Sequence, residues 1–208
     1  WGGNAAVLLG DYVFATSATF VCDTGNIQVI RRFSETIMEL SAGELQEMEE
    51  AYSPVQSRES YLERIYNKTA SLFTTAAESG AVLSGAARPV CEALKVYGYH
   101  LGMAFQIVDD ILDFDATRQE VGKPVGNDLA QGTVTLPAII ALERQGTDGA
   151  VEAFLSGPGE EDSMRRAVIS IQESSVLDEA YGVAADFCGR ALDSLELLDA
   201  SPARDSLE

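Results

Sequence analysis

The sequence predicts an all-α fold, a single-domain helical bundle, and three observations support this. Apolar residues recur at intervals of three and four positions through long blocks of the chain, which is the period of amphipathic helices. Signals for strands are nearly absent, because no Asn-Gly or Asp-Gly turn joins two alternating stretches. Only short clusters of Gly, Pro or Ser separate the helical blocks, so residues 1–208 are predicted to form one domain.

The apolar period and its interruptions place the helices in order along the chain. The predicted helices cover residues 4–22, 26–40, 43–51, 57–79, 86–114, 130–145, 148–155, 160–173 and 176–198. Ser57 is a suitable N-cap for the fourth helix, and Gly80 is a suitable stop. Pro137 opens or kinks the sixth helix. Residues 146–162 are rich in Gly and acidic side chains and are predicted to form a surface excursion.

The first predicted helix is the most apolar part of the chain. Asp11 interrupts the run from Ala5 to Cys22, which favours a buried helix over a membrane span, and no transmembrane segment is predicted. This helix has more apolar surface than an exposed helix should carry. We therefore expect it to be buried against a symmetric partner, as in a homodimer.

Composition excludes several classes of partner and site. The chain has 33 acidic and 14 basic residues in 208, a net charge of −19, which repels nucleic-acid phosphates and anionic lipids. Three cysteines with no CxxC spacing indicate a reducing compartment, and we expect a cytoplasmic protein. The single histidine, His100, rules out a His-rich zinc site.

The segment from Tyr97 to Asp115, YGYHLGMAFQIVDDILDFD, carries a narrow acidic stripe. On a helical wheel of about 100° per residue, three carboxylates fall within about 60° of Gln106. They belong to Asp109, Asp110 and Asp113. Apolar side chains occupy most of the remaining circle: Leu101, Ala104, Phe105, Ile107, Val108, Ile111 and Leu112. The stripe is therefore predicted to face a central cavity enclosed by the bundle.

Three carboxylates on one face repel each other and are costly to bury without neutralisation. Either they take up protons or a divalent cation lies among them. Asp109 and Asp113, four residues apart, can share a hard cation, and Mg²⁺ suits one or two carboxylates completed by waters and phosphate oxygens. The alternative interpretation is a solvated acidic cluster, since DDxxD alone is a weak motif.

Two lysines lie where they could meet a bound diphosphate. Lys68 lies in the helical segment IYNKTASLF, and Lys123 lies in GKPVGNDL, where Gly122 and Gly126 permit close approach of the backbone. Taken singly, each fits an ordinary solvated lysine. Taken with the aspartates, they form a diphosphate clamp. The chain has no GxxxxGK[ST] sequence, which excludes a P-loop.

These motifs together resemble the trans-polyprenyl diphosphate synthases, the family that elongates isoprenoid diphosphates. The resemblance runs in order along most of the chain. It covers LLGDYVFA at 8–15, GELQEME at 43–49, KTASLF at 68–73, YGYHLGMAFQIVDDILDFD at 97–115 and GKPVGNDLAQGTVTLP at 122–137. The acidic stripe resembles the second aspartate-rich motif of that family. The resemblance implies the isoprenoid-synthase bundle and condensation of an allylic prenyl diphosphate with isopentenyl diphosphate.

The resemblance also implies roles for the acidic and basic residues. Asp109 and Asp113 would hold the Mg²⁺ that bridges the allylic diphosphate, with Asp110 in supporting contact. Lys68 and Lys123 would bind the diphosphate directly.

The remaining implied roles concern the reacting ends of the two substrates. Thr69 and Gln106 would line the reacting end, and Phe105 would pack against the prenyl tail or the isopentenyl group. Asp128 would hydrogen-bond or water-bridge the metal cluster.

One departure from the family pattern is large. The family uses a first aspartate-rich motif on an earlier helix, and no second DDxxD-like cluster occurs between Trp1 and Glu208. We therefore expect residues 1–208 to be the C-terminal part of one polyprenyl synthase domain and to be inactive alone. Product length does not follow from the sequence.

Three other interpretations remain open at this point. The chain could be a non-catalytic subunit of a heteromeric prenyl synthase, a terpene cyclase-like protein or a purely structural bundle. Other polar residues are predicted to be structural. His100 is expected to be a satisfied packing histidine, and Glu44, Glu47, Glu49 and Glu50 are expected to form a solvated face.

Overall fold

The computed structural model describes residues 2–115, 125–157 and 159–208, and these form an α-helical bundle with no strand among them. The predicted all-α class is therefore confirmed. The α-helices are α1 Gly3–Asp23, α2 Ile27–Glu50, α3 Arg58–Ile65, α4 Ser71–Leu83, α5 Arg88–Leu112, α6 Asn127–Ala130, α7 Leu136–Gln145, α8 Ala150–Leu155, α9 Glu161–Gln172, α10 Val176–Leu195 and α11 Pro202–Asp205. The short helices α6 and α11 were not predicted.

The second and third predicted helices are one continuous helix, α2. Its N-terminus is capped by Asn26, whose side chain accepts hydrogen bonds from the backbone N–H groups of Gln28 and Val29. The predicted break near Gly43 was wrong because this glycine is needed for packing. A Cβ there would lie 2.6 Å from the backbone nitrogen of Lys68, so α2 passes directly against the next part of the bundle.

The predicted helix 57–79 is divided by a π-helical turn. Ser57 caps α3 as predicted, accepting a hydrogen bond from the backbone N–H of Ser60. Residues Tyr66–Ala70 then form the π turn, and α4 continues past the predicted stop at Gly80 to Leu83. A π turn inserts one residue into a helix and changes which side chains face inward, and such turns occur frequently at functional sites.

Helix α5 lies at the centre of the bundle, between α4 and α10. Two glycines allow its backbone to approach the helix before it. A Cβ at Gly98 would lie 2.6 Å from the carbonyl oxygen of Phe73, and a Cβ at Gly102 would lie 2.6 Å from the Cα of Ala70. The acidic end of α5 is thereby held against the π turn that carries Lys68 and Thr69.

The predicted helix 130–145 begins later than expected, at Leu136. Gly132 has a φ of 88°, a left-handed conformation that ends α6 and turns the chain before α7 can start. Helix α7 then buries the run LPAIIA completely, and the core between α3, α5, α7, α9 and α10 forms around it.

Helix α1 is exposed in the single chain, and residues 3–23 bury no side chain in the part of the chain that the structure describes. Its expected burial against a symmetric partner stays a prediction. The helix contacts α2 through Phe14, which stacks on Phe33 with ring centroids 6.2 Å apart. By length and composition alone, with a mean hydropathy of 1.6, this 21-residue helix could also cross a membrane.

A substitution at Gly102 tests the close approach of α5 to the π turn. We expect Gly102→Ala to lower the free energy of unfolding by about 1–3 kcal/mol, because the new methyl group would overlap the backbone of Ala70. Gly80→Ala is the matched control. It lies in a helix with nothing within 4 Å of its Cβ position, and it should raise stability by about 0.5–1 kcal/mol.

Urea unfolding followed by circular dichroism measures both changes. Equal stability changes in the two variants would contradict the tight packing at Gly102.

Candidate active site

The acidic stripe of α5 faces a cavity of about 240 Å³. The ends of α2, α3 and α5, the π turn and residues 128–135 enclose it. Its lining residues are Glu47, Arg64, Ile65, Lys68, Gln106, Asp109, Asp110, Asp128, Gln131, Thr133 and Thr135. The structure therefore brings together residues from distant parts of the sequence around a strongly polar space.

Five residues predicted from the sequence line this cavity: Lys68, Gln106, Asp109, Asp110 and Asp128. A sixth, Thr69, is hydrogen-bonded to Gln106 across the gap between the π turn and α5, with 2.6 Å between Thr69 Oγ1 and Gln106 Oε1. Lys68 and Thr69 are adjacent in sequence and meet α5 because the π turn lies against it.

Asp110 is buried at the back of the site, where its side chain supports other residues. Only 4 % of its surface is exposed, and Oδ2 accepts a 2.6 Å hydrogen bond from the hydroxyl of Tyr61. Its Oδ1 accepts a 2.8 Å hydrogen bond from Nε2 of Gln106. Burial raises the pKa of Asp110 to about 7, although the two hydrogen bonds oppose this effect. Its predicted supporting contact to a metal stays a prediction.

Asp128 is the second carboxyl group with a displaced pKa. Burial and the neighbouring charge of Asp113 raise its pKa to about 6, and the ammonium of Lys68 opposes the rise. Burial is the largest cause of the raised pKa of both Asp110 and Asp128, and the charges of neighbouring carboxylates add to it. The cavity holds more negative groups than the cations among its described lining residues, Lys68 and Arg64, can balance.

Lys68 is held by a glutamate that was predicted to be solvated. Its Nζ lies 2.7 Å from both carboxylate oxygens of Glu47. Burial lowers the pKa of Lys68, but the contact with Glu47 outweighs this and the pKa is raised overall. The prediction of a solvated acidic face was wrong for Glu47 and also for Glu50, which pairs with Arg64. It holds for Glu44 and Glu49, which are exposed.

Arg64 is a site residue that the sequence interpretation missed. It is 2 % exposed, donates a 2.8 Å hydrogen bond to Glu50 and a 2.6 Å hydrogen bond to the carbonyl of Val134. These bonds join α3 to the end of α2 and to the segment before α7. The spacing of Arg64 from Tyr61 and Lys68, three and four residues, places all three near one helical face and was the available signal.

Two other predicted residues, Asp113 and Phe105, are placed differently. Asp113 accepts hydrogen bonds from the backbone N–H groups of Asn127 and Asp128, at 3.1 and 3.0 Å, so it anchors the start of α6. Phe105 is 55 % exposed and packs against Phe73, with ring centroids 5.3 Å apart, on a face outside the cavity. Lys123 lies outside the described residues.

His100 is a packing histidine, as predicted, but it is not fully satisfied. Its ring lies between Tyr99 and Phe187, at centroid distances of 4.9 and 5.7 Å. Its Nδ1 is buried without a hydrogen-bond partner among the described residues. Burial lowers the pKa of His100, and the charge of Arg190 adds to this. The ring lies on the α10 side of α5 and takes no part in the acidic cavity.

A larger cleft, of about 380 Å³, lies at the opposite end of α2. Arg32 is its most buried cation, and it is already paired with Glu39 at 2.8 Å. Glu78 lies 3.8 Å from Lys95 and 3.9 Å from Arg32. The cleft is lined by three cations, Arg31, Arg32 and Lys95, and two glutamates, Glu35 and Glu78, so it lacks the group of carboxylates that could hold a metal ion. The smaller cavity is the better candidate for a charged ligand.

The chemistry of the donor set suits a magnesium–diphosphate ligand. No three acidic, histidine or cysteine side chains converge into a ready-made metal cage within the described ranges. Mg²⁺ needs only one or two carboxylates, because waters and phosphate oxygens complete its octahedron. Asp109 is exposed, and both Asp109 and Asp128 line the cavity. These residues could hold the ion, and Lys68 could meet a phosphate oxygen.

Comparisons with known proteins agree with this site. Residues 1–171 match the model of the family described as polyprenyl synthetase. Heptaprenyl diphosphate synthase component 2 of Geobacillus stearothermophilus is 36 % identical over 98 % of the chain and 63 % of its own length. Nonaprenyl diphosphate synthase of Mycobacterium tuberculosis is 36 % identical over 100 % of the chain and 62 % of its own. The chain therefore spans less than two thirds of these relatives.

Solved structures give the same result. Heptaprenyl diphosphate synthase from Staphylococcus aureus superposes with a TM-score of 0.93 at 30 % identity, covering 100 % of this chain and 65 % of that one. Polyprenyl synthase from Caulobacter crescentus CB15, complexed with calcium and isoprenyl diphosphate, has a TM-score of 0.91 at 34 % identity, covering 100 % and 64 %. On this evidence the chain belongs to the polyprenyl synthetase family.

Proposed function

We propose that the protein is a prenyltransferase, a polyprenyl diphosphate synthase that condenses an allylic prenyl diphosphate with isopentenyl diphosphate and releases diphosphate. The observation that supports this best is the juxtaposition of Lys68, Gln106 and Asp109 around one acidic cavity in a member of this family. The 208 residues would form the C-terminal part of the synthase domain and supply the allylic diphosphate site.

The reaction requires stabilisation of a leaving group. The bond between the allylic carbon and the diphosphate oxygen breaks, and its electron pair leaves with the diphosphate. The double bond of isopentenyl diphosphate then attacks the allylic cation, and loss of a proton restores a double bond. Groups that are already placed to accept the negative charge of the diphosphate lower the barrier because they need no reorganisation during the reaction.

The chain's own residues have separate tasks in this scheme. Lys68 binds the departing diphosphate, and the incoming ligand competes with Glu47 for the lysine ammonium. Thr69 and Gln106, joined by their hydrogen bond, line the reacting end beside the carboxylates. Lys123 is proposed as a second diphosphate ligand, and Phe105 is proposed to pack against the prenyl or isopentenyl group.

Mg²⁺ is the proposed cofactor. Asp109, with Asp113 and Asp128 nearby, would hold it, and when bound it would supply the positive charge that an acidic cavity lacks. The calcium and isoprenyl diphosphate named with the Caulobacter crescentus structure support a divalent cation as cofactor. Asp110, whose two oxygens are hydrogen-bonded to Tyr61 and Gln106, is better suited to support the site from behind.

A homodimer formed through α1 is proposed for the assembly. The apolar side chains of α1 are exposed in the single chain, and a twofold interface between two copies of this helix would bury them. They are Val7, Leu8, Leu9, Tyr12, Val13, Phe14 and Phe20. Because Asp11 interrupts this surface, a dimer helix suits it better than a membrane span. Three unpaired cysteines, Cys22, Cys91 and Cys188, support a cytoplasmic location.

A second candidate is a subunit of a two-chain prenyl synthase. Two relatives are named heptaprenyl diphosphate synthase component 2, which favours this assembly over a single-chain enzyme for those proteins. In that case the surface of α1 would bind a different chain.

Removal of the Asp109 carboxylate tests the catalytic proposal. The substitution is made in the full-length protein, and turnover of an allylic diphosphate with labelled isopentenyl diphosphate is measured. Asp109→Ala should lower this turnover by about 100-fold or more, because the cation that stabilises the leaving group is no longer bound. Asp186→Ala, on the exposed face of α10, is the control and should keep wild-type turnover. Near-normal turnover of the Asp109 variant would refute the assignment.

A charge on α1 tests the proposed homodimer. We expect Leu8→Glu to convert a dimer into a monomer, since each apolar side chain of this size contributes about 1.5–3 kcal/mol when buried. Leu197→Glu changes another exposed leucine, beyond α10, and should leave the dimer intact. Light scattering on the three proteins gives the mass directly. A wild-type monomer, or a dimer that tolerates the Leu8 substitution, would rule out this interface.

A further inference from the structure

Tyr61 is a buried residue that the proposed mechanism does not use. It lies on α3, seven residues before Lys68, and none of its surface is exposed. Its hydroxyl donates a 2.6 Å hydrogen bond to Oδ2 of Asp110. A phenol buried in an apolar core normally needs one partner, but its partner here is a carboxylate at the back of the acidic cavity.

The hydrogen bonds continue from Asp110 to the residues that face the cavity. Gln106 donates through Nε2 to Asp110 Oδ1 at 2.8 Å and accepts through Oε1 from Thr69 at 2.6 Å. The side-chain amide of Gln106 could be placed in two orientations, related by exchange of its oxygen and nitrogen. The carboxylate of Asp110 can only accept hydrogen bonds, so the NH₂ group of Gln106 must face it and one orientation is fixed. The same NH₂ lies 3.4 Å from Oδ2 of Asp109.

We propose that Tyr61 is a positioning residue of the diphosphate site. Its hydroxyl fixes the carboxylate of Asp110, Asp110 fixes the amide of Gln106, and Gln106 in turn sets the side chains of Thr69 and Asp109. Tyr61 is not itself among the residues that line the cavity, and it acts on them through Asp110. This inference rests on the proposed function, because the site it orders is the proposed site for magnesium and diphosphate.

The arrangement explains why a tyrosine is placed in this core. With Oδ2 held by Tyr61, Asp110 cannot rotate toward the cavity without leaving a buried phenol unpaired, which is costly. Asp110 therefore stays buried at the back of the cavity, and Asp109 alone of the adjacent pair is exposed. Partners that orient metal ligands in this way affect affinity or activity by about 10–100-fold when they are removed.

The test compares two buried tyrosines on the complete protein. Tyr61→Phe removes the hydroxyl that holds Asp110. Tyr97→Phe removes a hydroxyl that donates to the carbonyl of Leu207 at 2.8 Å. Tyr97 lies about 13 Å along α5 from Gln106, away from the acidic cavity. Calorimetry with inorganic diphosphate and Mg²⁺ measures binding without any turnover. Tyr61→Phe should weaken binding by about tenfold or more, while Tyr97→Phe should bind as the wild type does.

A double variant separates a positioning role from a merely structural one. Asp110→Ala also breaks the chain of hydrogen bonds, because it removes both acceptor oxygens. The loss of binding in the double variant Y61F/D110A should not exceed the larger of the two single losses, because both changes act through one group. The double variant also lacks a buried unpaired carboxylate, so it provides the test if Tyr61→Phe alone does not fold. Additive losses would overturn the positioning role.

The outcomes distinguish the two proposals. If the wild type binds diphosphate with Mg²⁺ and Tyr61→Phe binds equally well, the inference about Tyr61 is wrong and the proposed function stands. If the wild type binds no diphosphate with Mg²⁺, the proposed function fails and the inference fails with it.

Discussion

The close approach of α5 to the π turn is the contact on which the rest of the site depends. It is possible because Gly102 has no side chain where the Cα of Ala70 lies, and because Gly43 of α2 leaves room for the backbone of Lys68 on the other side. The π turn is held between these two glycines. Because of this packing, the hydroxyl of Thr69 reaches the amide of Gln106, and Lys68 enters the same cavity as Asp109. Local backbone packing thus determines where the charged groups meet.

Electrostatics sets the second constraint. The chain carries a net charge of −19. Several carboxylates line the acidic cavity, but only two cations do so among the described residues. Each cation is already paired, Lys68 with Glu47 and Arg64 with Glu50. An anionic ligand would be repelled by such a site unless it arrived with a metal ion. Burial is the main cause of the raised pKa values of Asp110 and Asp128, and the neighbouring carboxylates raise them further.

The parts that could be predicted from the sequence were those with a regular period. The helix expected at 86–114 is α5, Arg88–Leu112, and two of the three aspartates of the acidic stripe, Asp109 and Asp110, line a cavity. The π turn could not be predicted, because one inserted residue leaves no periodic signal. Glu47 looked like part of a solvated face because its partner, Lys68, is 21 residues away in sequence. The late start of α7 was missed because the left-handed turn at Gly132 interrupts an otherwise helical pattern.

The central claim is that this acidic cavity binds diphosphate only together with a divalent cation. Calorimetric titration of the wild-type protein with inorganic diphosphate, once with Mg²⁺ and once with a chelator that removes it, measures this directly. The account predicts saturable binding with Mg²⁺ and none with the chelator, because carboxylates and phosphate oxygens repel each other without the ion. Equal binding under both conditions, or no binding with Mg²⁺, would contradict it.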